Sequence, residues 1–241
     1  MSGVPESSGE GVVSARPRVI VVVAPKGGVG KTTIAMNLLV SARQAGLQSV
    51  GVDMDGQRSL EGWATARQTQ RSRVGLDVFP EVPVTFLASR DWRRLGSMAG
   101  AQIAVVDTAP GHLDEVTAVE GLVGLADIVL IPTGTMPQDL FQVIPFHSRI
   151  RTRKAFFVLN RVKPRTLSFS RARLRLAKSG RLCPVEIPDR EAIGVEYENG
   201  LVLADRGLPG TDYFDALWNF VAAELDLPLV NRAAGEGGHA A

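Results

Sequence analysis

Two lysines, three glycines and two threonines fall in the nine-residue run Pro25-Lys26-Gly27-Gly28-Val29-Gly30-Lys31-Thr32-Thr33. That mixture suits one kind of chemistry, the holding of a polyphosphate. Glycines let successive backbone N–H groups turn inward toward an anion. A helix beginning behind them adds roughly half a positive charge at its N-terminus, facing the same anion. Lys31 would then neutralise the terminal phosphates, and the Thr32 hydroxyl would ligate Mg²⁺. The common phosphate loop reads G-x-x-x-x-G-K-[ST]. Here Pro25 stands at its first glycine, and Lys26 follows as a second lysine. Packing gives no reason for so much charge and so many glycines in one short turn.

The flanks supply the elements such a loop needs. An apolar run, Val19–Ala24, precedes it, and a helical pattern, Lys31–Ala45, follows. Strand, glycine turn and helix form the context that makes the motif a site. Further runs rich in valine and isoleucine predict strands over Ser49–Asp53, Val84–Leu87, Ile103–Asp107, Ile128–Pro132, Ala155–Leu159 and Pro184–Ile187. They are apolar on both faces, as strands of a covered parallel sheet are. Helical patterns separate them: Leu60–Thr69, Asp91–Ala99, Leu113–Leu125, Gln138–Arg151 and Ser170–Lys178, with Asp212–Leu225 closing the series. The alternation predicts an α/β fold, a central and mostly parallel sheet with helices on both faces. The nucleotide would sit at the carboxyl ends of the strands.

Two of those strands end in carboxylates. Asp53 and Asp55 are two apart in an extended segment and so point the same way. Asp107 closes the run Ala104-Val105-Val106 and is placed to hold Mg²⁺.

With 241 residues, 45% of them hydrophobic and 22% charged, the chain suits a single globular α/β domain. Its expected limits are residues 18–228, between a polar tail at 1–17 and a flexible one at 229–241. No apolar stretch is long enough for a membrane span. One cysteine, Cys183, excludes an internal disulfide or a Cys-x-x-Cys metal site and fits a reducing cytoplasm. The net charge of +2 hides an asymmetry: Leu140–Val185 holds twelve lysines and arginines and no acidic residue. A one-sided basic region suggests a polyanion partner. Arg171, Arg175 and Lys178 share a helix face by their spacing, and Lys163 and Arg165 precede it in a loop. No recognition-helix pattern is present to read bases.

The loop K-G-G-x-G-K-T-T resembles the deviant phosphate loop of the ParA/MinD family of partition and positioning ATPases, closest to small ParA proteins without an N-terminal helix-turn-helix. Val52-Asp53-Met54-Asp55-Gly56-Gln57 resembles the family's D-x-D-P-Q, with Gly56 for proline. Asp107-Thr108-Ala109-Pro110 resembles its D-T-P-P, and Pro137-Gln138-Asp139-Leu140 continues its next strand. The resemblance spans roughly Arg18 to Leu225. It implies that Lys26, Lys31 and Asp55 are catalytic, with Asp55 orienting the attacking water. It also implies that Thr32, Asp107 and Asp53 serve the Mg²⁺, Asp53 through the metal shell or through Lys31. ATP would be bound by Gly27 to Thr33, with Asn160 and Pro188-Asp189 at the adenine.

Lys26 would cross to the phosphates of a second protomer, making a homodimer that forms on ATP. That dimer would bind DNA without sequence preference and work with a ParB-like centromere-binding adaptor. The expected function is plasmid or chromosome segregation by a cytoplasmic, nucleoid-associated ATPase, weak alone and stimulated by DNA and partner; the alternative is positioning of another cargo, such as a protein cluster or conjugation machinery. The last helix has no lysine or arginine, which argues against an anionic membrane as partner. Bridging cysteines and a tyrosine cluster are also missing, which argues against iron–sulfur carriers and tyrosine kinases on the same scaffold.

Overall fold

A computed structural model of the chain describes residues 16–75, 78–98, 100–111, 116–150 and 152–231. All seven expected strands form: β1 (Arg18–Val22), β2 (Ser49–Met54), β3 (Val84–Phe86), β4 (Ile103–Thr108), β5 (Ile128–Thr133), β6 (Ala155–Val162) and β7 (Arg181–Pro188). They make one sheet in the order β3-β2-β4-β1-β5-β6-β7. Every pairing is parallel. Their side chains alternate between two cores, as the two-residue strand period requires. From β1, Ile20 and Val22 face one core while Val19 and Val21 face the other.

The first core is covered by α1 (Lys31–Gln44), α2 (Ser59–Val74) and α7 (Thr211–Leu225). The apolar residues of α7, Phe214, Leu217, Trp218 and Val221, are all buried there. The second core is covered by α3 (Val116–Leu125), α4 (Pro137–Arg149) and α5 (Leu167–Ser179). Among the described residues no helix is long and apolar enough to cross a membrane.

Three expectations are corrected. The segment expected as the helix Asp91–Ala99 is a 3-10 helix over Ser89–Ser97, kinked at Asp91. A further helix, α6 (Glu191–Glu198), and a 3-10 turn at Leu203–Arg206 went unseen in the sequence. The folded part also begins before residue 18 and runs past 228. Arg16 forks onto both oxygens of Asp127 at 2.9 and 3.0 Å. Val230 exchanges hydrogen bonds with the Asn219 side chain on α7. The rest of the expected tails, residues 1–15 and 232–241, lies outside the described residues, as does Arg151.

Buried charge ties α2 to the segment after α6. Arg67 and Asp205, with side chains 1% and 0% exposed, pair at 2.6 Å. Arg67 also donates to the Pro80 and Gly200 carbonyls. Removing one partner strands the other charge in the interior, which typically costs about 3–5 kcal/mol. Asp205→Ala should therefore lower the urea midpoint by that equivalent, at unchanged slope, in an equilibrium unfolding curve.

Candidate nucleotide site

The loop after β1 lies at the carboxyl end of the sheet, where strand order turns on either side of β1 toward β4 and β5. Its last glycine, Gly30, caps α1 with φ 90. A Cβ there would run into the Asn160 side-chain amide. Asn160, 3% exposed at the end of β6, donates from Nδ2 to the Val29 carbonyl at 2.7 Å. The residue expected at the adenine thus also buttresses the phosphate loop.

Lys31 is buried, and burial pulls its ammonium below the ordinary value, with Asp107 and Asp55 opposing. Thr32 Oγ1 donates to Asp107 Oδ2 at 2.6 Å. The other oxygen, Oδ1, is buried with no hydrogen-bond partner. Burial pushes the Asp107 carboxyl up to about 7; the Thr32 bond and Lys31 oppose this, and Asp53 and Asp55 add to it. A half-satisfied carboxylate beside a hydroxyl is a donor set that fits Mg²⁺. Among the described residues no group of three or more acidic, histidine or cysteine side chains could hold a metal alone. Phosphate oxygens and water would have to complete the shell.

Asp53 sits differently from expectation. It is fully buried, and its carboxylate accepts from the backbone N–H of Asp55 at 2.9 Å, Leu60 at 2.9 Å and Glu61 at 3.0 Å. Burial raises its pKa and those bonds restrain the rise. It fastens the Asp55 loop and satisfies the first turn of α2, which has no other cap. Asp55 itself is half-exposed, accepts from Gln57 N–H at 2.9 Å and lines the cavity.

That cavity measures about 780 Å³. Such a volume lies within the range of ligand sites, ~300–1,000 Å³. Gly27, Gly28, Gly30, Lys31, Thr32, Thr33, Asp55, Asn160, Pro188 and Asp189 line it, as expected from the sequence. Residues the sequence did not single out complete it: Gln57, Arg161, Ile193, Gly194 and Tyr197 among them. Arg161 has φ 54 and clasps the mouth, donating to Gly28 O at 3.2 Å and Asp189 Oδ1 at 3.3 Å. Lys26 does not line the cavity. Its Nζ lies 2.8 Å from Asp139 Oδ1, at the start of α4, and its side chain is 42% exposed.

The basic stretch divides into groups. Arg153, Lys154 and Arg181 stand at the starts of β6 and β7, the pole away from the cavity. Arg173 pairs with Glu186 at 3.0 Å and Arg181 with Glu224 at 3.1 Å. Lys163, Arg165, Arg171, Arg175 and Lys178 are all exposed. The last three project from α5 away from its buried Ala172 and Leu176.

Residues 20–203 match the family model described as CobQ/CobB/MinD/ParA nucleotide binding domain. The chain belongs to this family. A carboxysome-distribution protein, "Maintenance of carboxysome distribution protein A" of Gloeobacter kilaueensis, is 36% identical over 160 residues, 65% of this chain and 69% of that one. Among solved structures of the MinD/ParA type, the putative plasmid partition protein of Borrelia burgdorferi B31 bound to AMPPNP has a TM-score of 0.68 at 16% identity, over 86% of this chain and 99% of that one. The Pyrococcus horikoshii septum site-determining protein MinD with Mg-ADP has 0.66 at 17% identity, over 85% and 96%. At those identities the two structures speak for the MinD/ParA fold alone.

The Asp107 geometry gives a signed pH dependence. Its pKa is near 7 folded and ~3.9 unfolded, so the native state binds the extra proton in between. Stability of the nucleotide-free protein should therefore fall as pH rises through that window. Melting temperatures from about pH 5 to pH 8 should show the fall, and Asp107→Asn should flatten it.

Proposed function

We infer that this chain is a Mg²⁺-dependent ATPase whose ATP-bound copies pair face to face, and that the cycle of pairing and release places a cargo. The observation that carries the reading is the position of Lys26. A second lysine belongs to the phosphate loop, yet its ammonium sits outside its own cavity, held by Asp139. Released from that carboxylate, it is free to meet the triphosphate of a second copy. ATP carries about four negative charges, so a cation supplied in trans makes pairing depend on nucleotide. Lys31 serves the phosphates of its own subunit, Thr32 and Asp107 hold the metal, and Mg²⁺ screens the phosphate charge. Asp55 orients water for attack, with Asp53 fixing its loop. The base lies toward Asn160, Pro188 and Asp189.

Sedimentation velocity tests this directly. ATP should convert monomer to dimer. Lys26→Ala should bind ATP and stay monomeric, and Asp55→Ala should persist as a dimer because hydrolysis no longer resets it. An Asp55→Ala protein that is saturated with ATP yet monomeric would sink the reading.

The cargo is the finer question. The 36% identity is with a protein whose name assigns it to carboxysome distribution. This favours a protein assembly as cargo, placed through an adaptor, over a plasmid or chromosome held by a ParB-like centromere-binding partner. Either cargo would use nucleoid DNA as the track, gripped without sequence preference by Lys163, Arg165, Arg171, Arg175 and Lys178. These five have no ion-pair partner among the described residues, so their charge is available to phosphates. Filter binding against salt should give a steep slope with ATP and a weak one without it. Arg171→Ala with Lys178→Ala should reduce the slope by about 2, one per lost phosphate contact, uniformly across sequences. A slope indifferent to ATP would remove DNA from the cycle.

A further inference from the structure

Tyr197 sits on α6, the helix that begins directly after the turn Pro188-Asp189-Arg190. Its ring packs on the first core, and it lines the nucleotide cavity beside Ile193 and Gly194. Its hydroxyl donates to the Ser59 carbonyl at 3.1 Å. Ser59 opens α2 and ends the short loop that starts at Asp55. Arg58 between them has φ 51, a left-handed conformation that a side-chain-bearing residue rarely adopts without support.

Beyond the cavity, α2 and the segment after α6 are fastened together. Gly200, at φ 71, approaches the backbone of Ala66 and Arg67 so closely that a Cβ would not fit. The Trp63 indole N–H donates to the Leu201 carbonyl at 3.3 Å, and Arg67 grips Asp205. The two helices therefore behave as one body. The Tyr197–Ser59 bond is the tie between them that reaches the site. It joins the helix leading away from the base turn to the loop that carries Asp55.

We propose that Tyr197 is a positioning residue for hydrolysis, through which a seated base aligns the Asp55 loop. A base lodged by Asn160, Pro188 and Ile193 steadies α6. The Tyr197 hydroxyl then fixes the Ser59 carbonyl and the turn before it, so Asp55 addresses water only when the base site is full. The chain would thus tell a nucleoside triphosphate from bare tripolyphosphate without any direct contact between base and loop. This rests on the reading of the cavity as an ATPase site.

Tyr197→Phe keeps the ring and its packing and removes only the hydroxyl. Hydrogen–deuterium exchange of the 55–61 backbone would be followed with saturating Mg-ATP or Mg-tripolyphosphate. Both proteins would carry Lys26→Ala, so that no second copy adds protection. With Tyr197 present, ATP should protect this stretch more than tripolyphosphate does. With Tyr197→Phe the two ligands should protect equally. In the otherwise unaltered chain, turnover should fall about 2- to 10-fold at unchanged KM, the scale of one lost hydrogen bond. A bond that served stability alone would change exchange by the same factor with both ligands. Retention of the ligand difference in Tyr197→Phe, or its absence when Tyr197 is present, would overturn the proposal. Failure of the unaltered chain to hydrolyse ATP would count against the ATPase reading instead, since the exchange measurement needs only binding.

Discussion

Three carboxylates converge on one buried ammonium, and the local charge does not balance. Asp53, Asp55 and Asp107 all act on one another or on Lys31 through short distances and little water. Each is handled by a different device. Asp53 is neutralised in effect by three backbone N–H groups, which a folded loop can supply without any ligand. Asp55 stays half-exposed, so water solvates what the Gln57 N–H does not. Asp107 has one hydroxyl and an orphaned oxygen, and its proton becomes hard to lose. Buried polar groups in native proteins are nearly always satisfied, so an orphaned carboxylate oxygen marks a place kept for something else. A divalent cation is the species that would both ionise it and offset the phosphates. The site is therefore electrostatically unfinished without Mg²⁺ and nucleotide together, and the glycine loop is the frame that holds that tension.

The same logic separates the two lysines. An ammonium buried among carboxylates stays in place, and Lys31 is 7% exposed. Lys26 is bound to one carboxylate at the surface, where an ion pair is typically worth about 0–1 kcal/mol. A bond that weak holds the side chain in order yet yields readily to a triphosphate, which offers several charges at once. Strong fixation of one lysine and loose retention of the other are what a site needs if it is to bind its own ligand permanently and a neighbour's conditionally.

What was legible in the sequence was local. Seven strands could be read because buried parallel strands are continuous valine and isoleucine runs, and the loop could be read because its glycines and lysines have no other use. The pocket's fourth wall was not legible. Helix α6 is eight residues long, interrupted by Gly194, and buries only Glu196 completely, so it carries no periodic apolar signal. It forms because α2 is there to receive it, and that contact lies more than a hundred residues away along the chain. Tyr197, Arg161 and the Asp139 anchor for Lys26 were missed or underused for the same reason: each acts through a partner that only the topology brings near. Asp53 was placed at the right point for a physically different task, since spacing reports where a carboxylate points but not how many N–H groups meet it.

The basic stretch shows how charge counting in sequence overstates a surface. Twelve cations without an acid looked like one patch. Folding scatters them between two poles, and residues from outside the stretch, Glu186 and Glu224, neutralise two of them. The remaining exposed group runs from the loop beside the cavity down the outer face of α5. Leu167 and Leu174, 64% and 60% exposed, lie among these cations. Leucines add nothing to phosphate binding, but they do not prevent it either, since the cationic stems reach past them. Sequence-independent attraction to a polyanion needs only charge that is unpaired and accessible along a line, and proximity of that line to the phosphate loop lets nucleotide state govern it. A second copy docked across the loop would set two such lines side by side, raising the number of phosphates engaged at once. Because counterion release scales with that number, pairing alone would be enough to turn a weak grip into a firm one without moving a single side chain on α5.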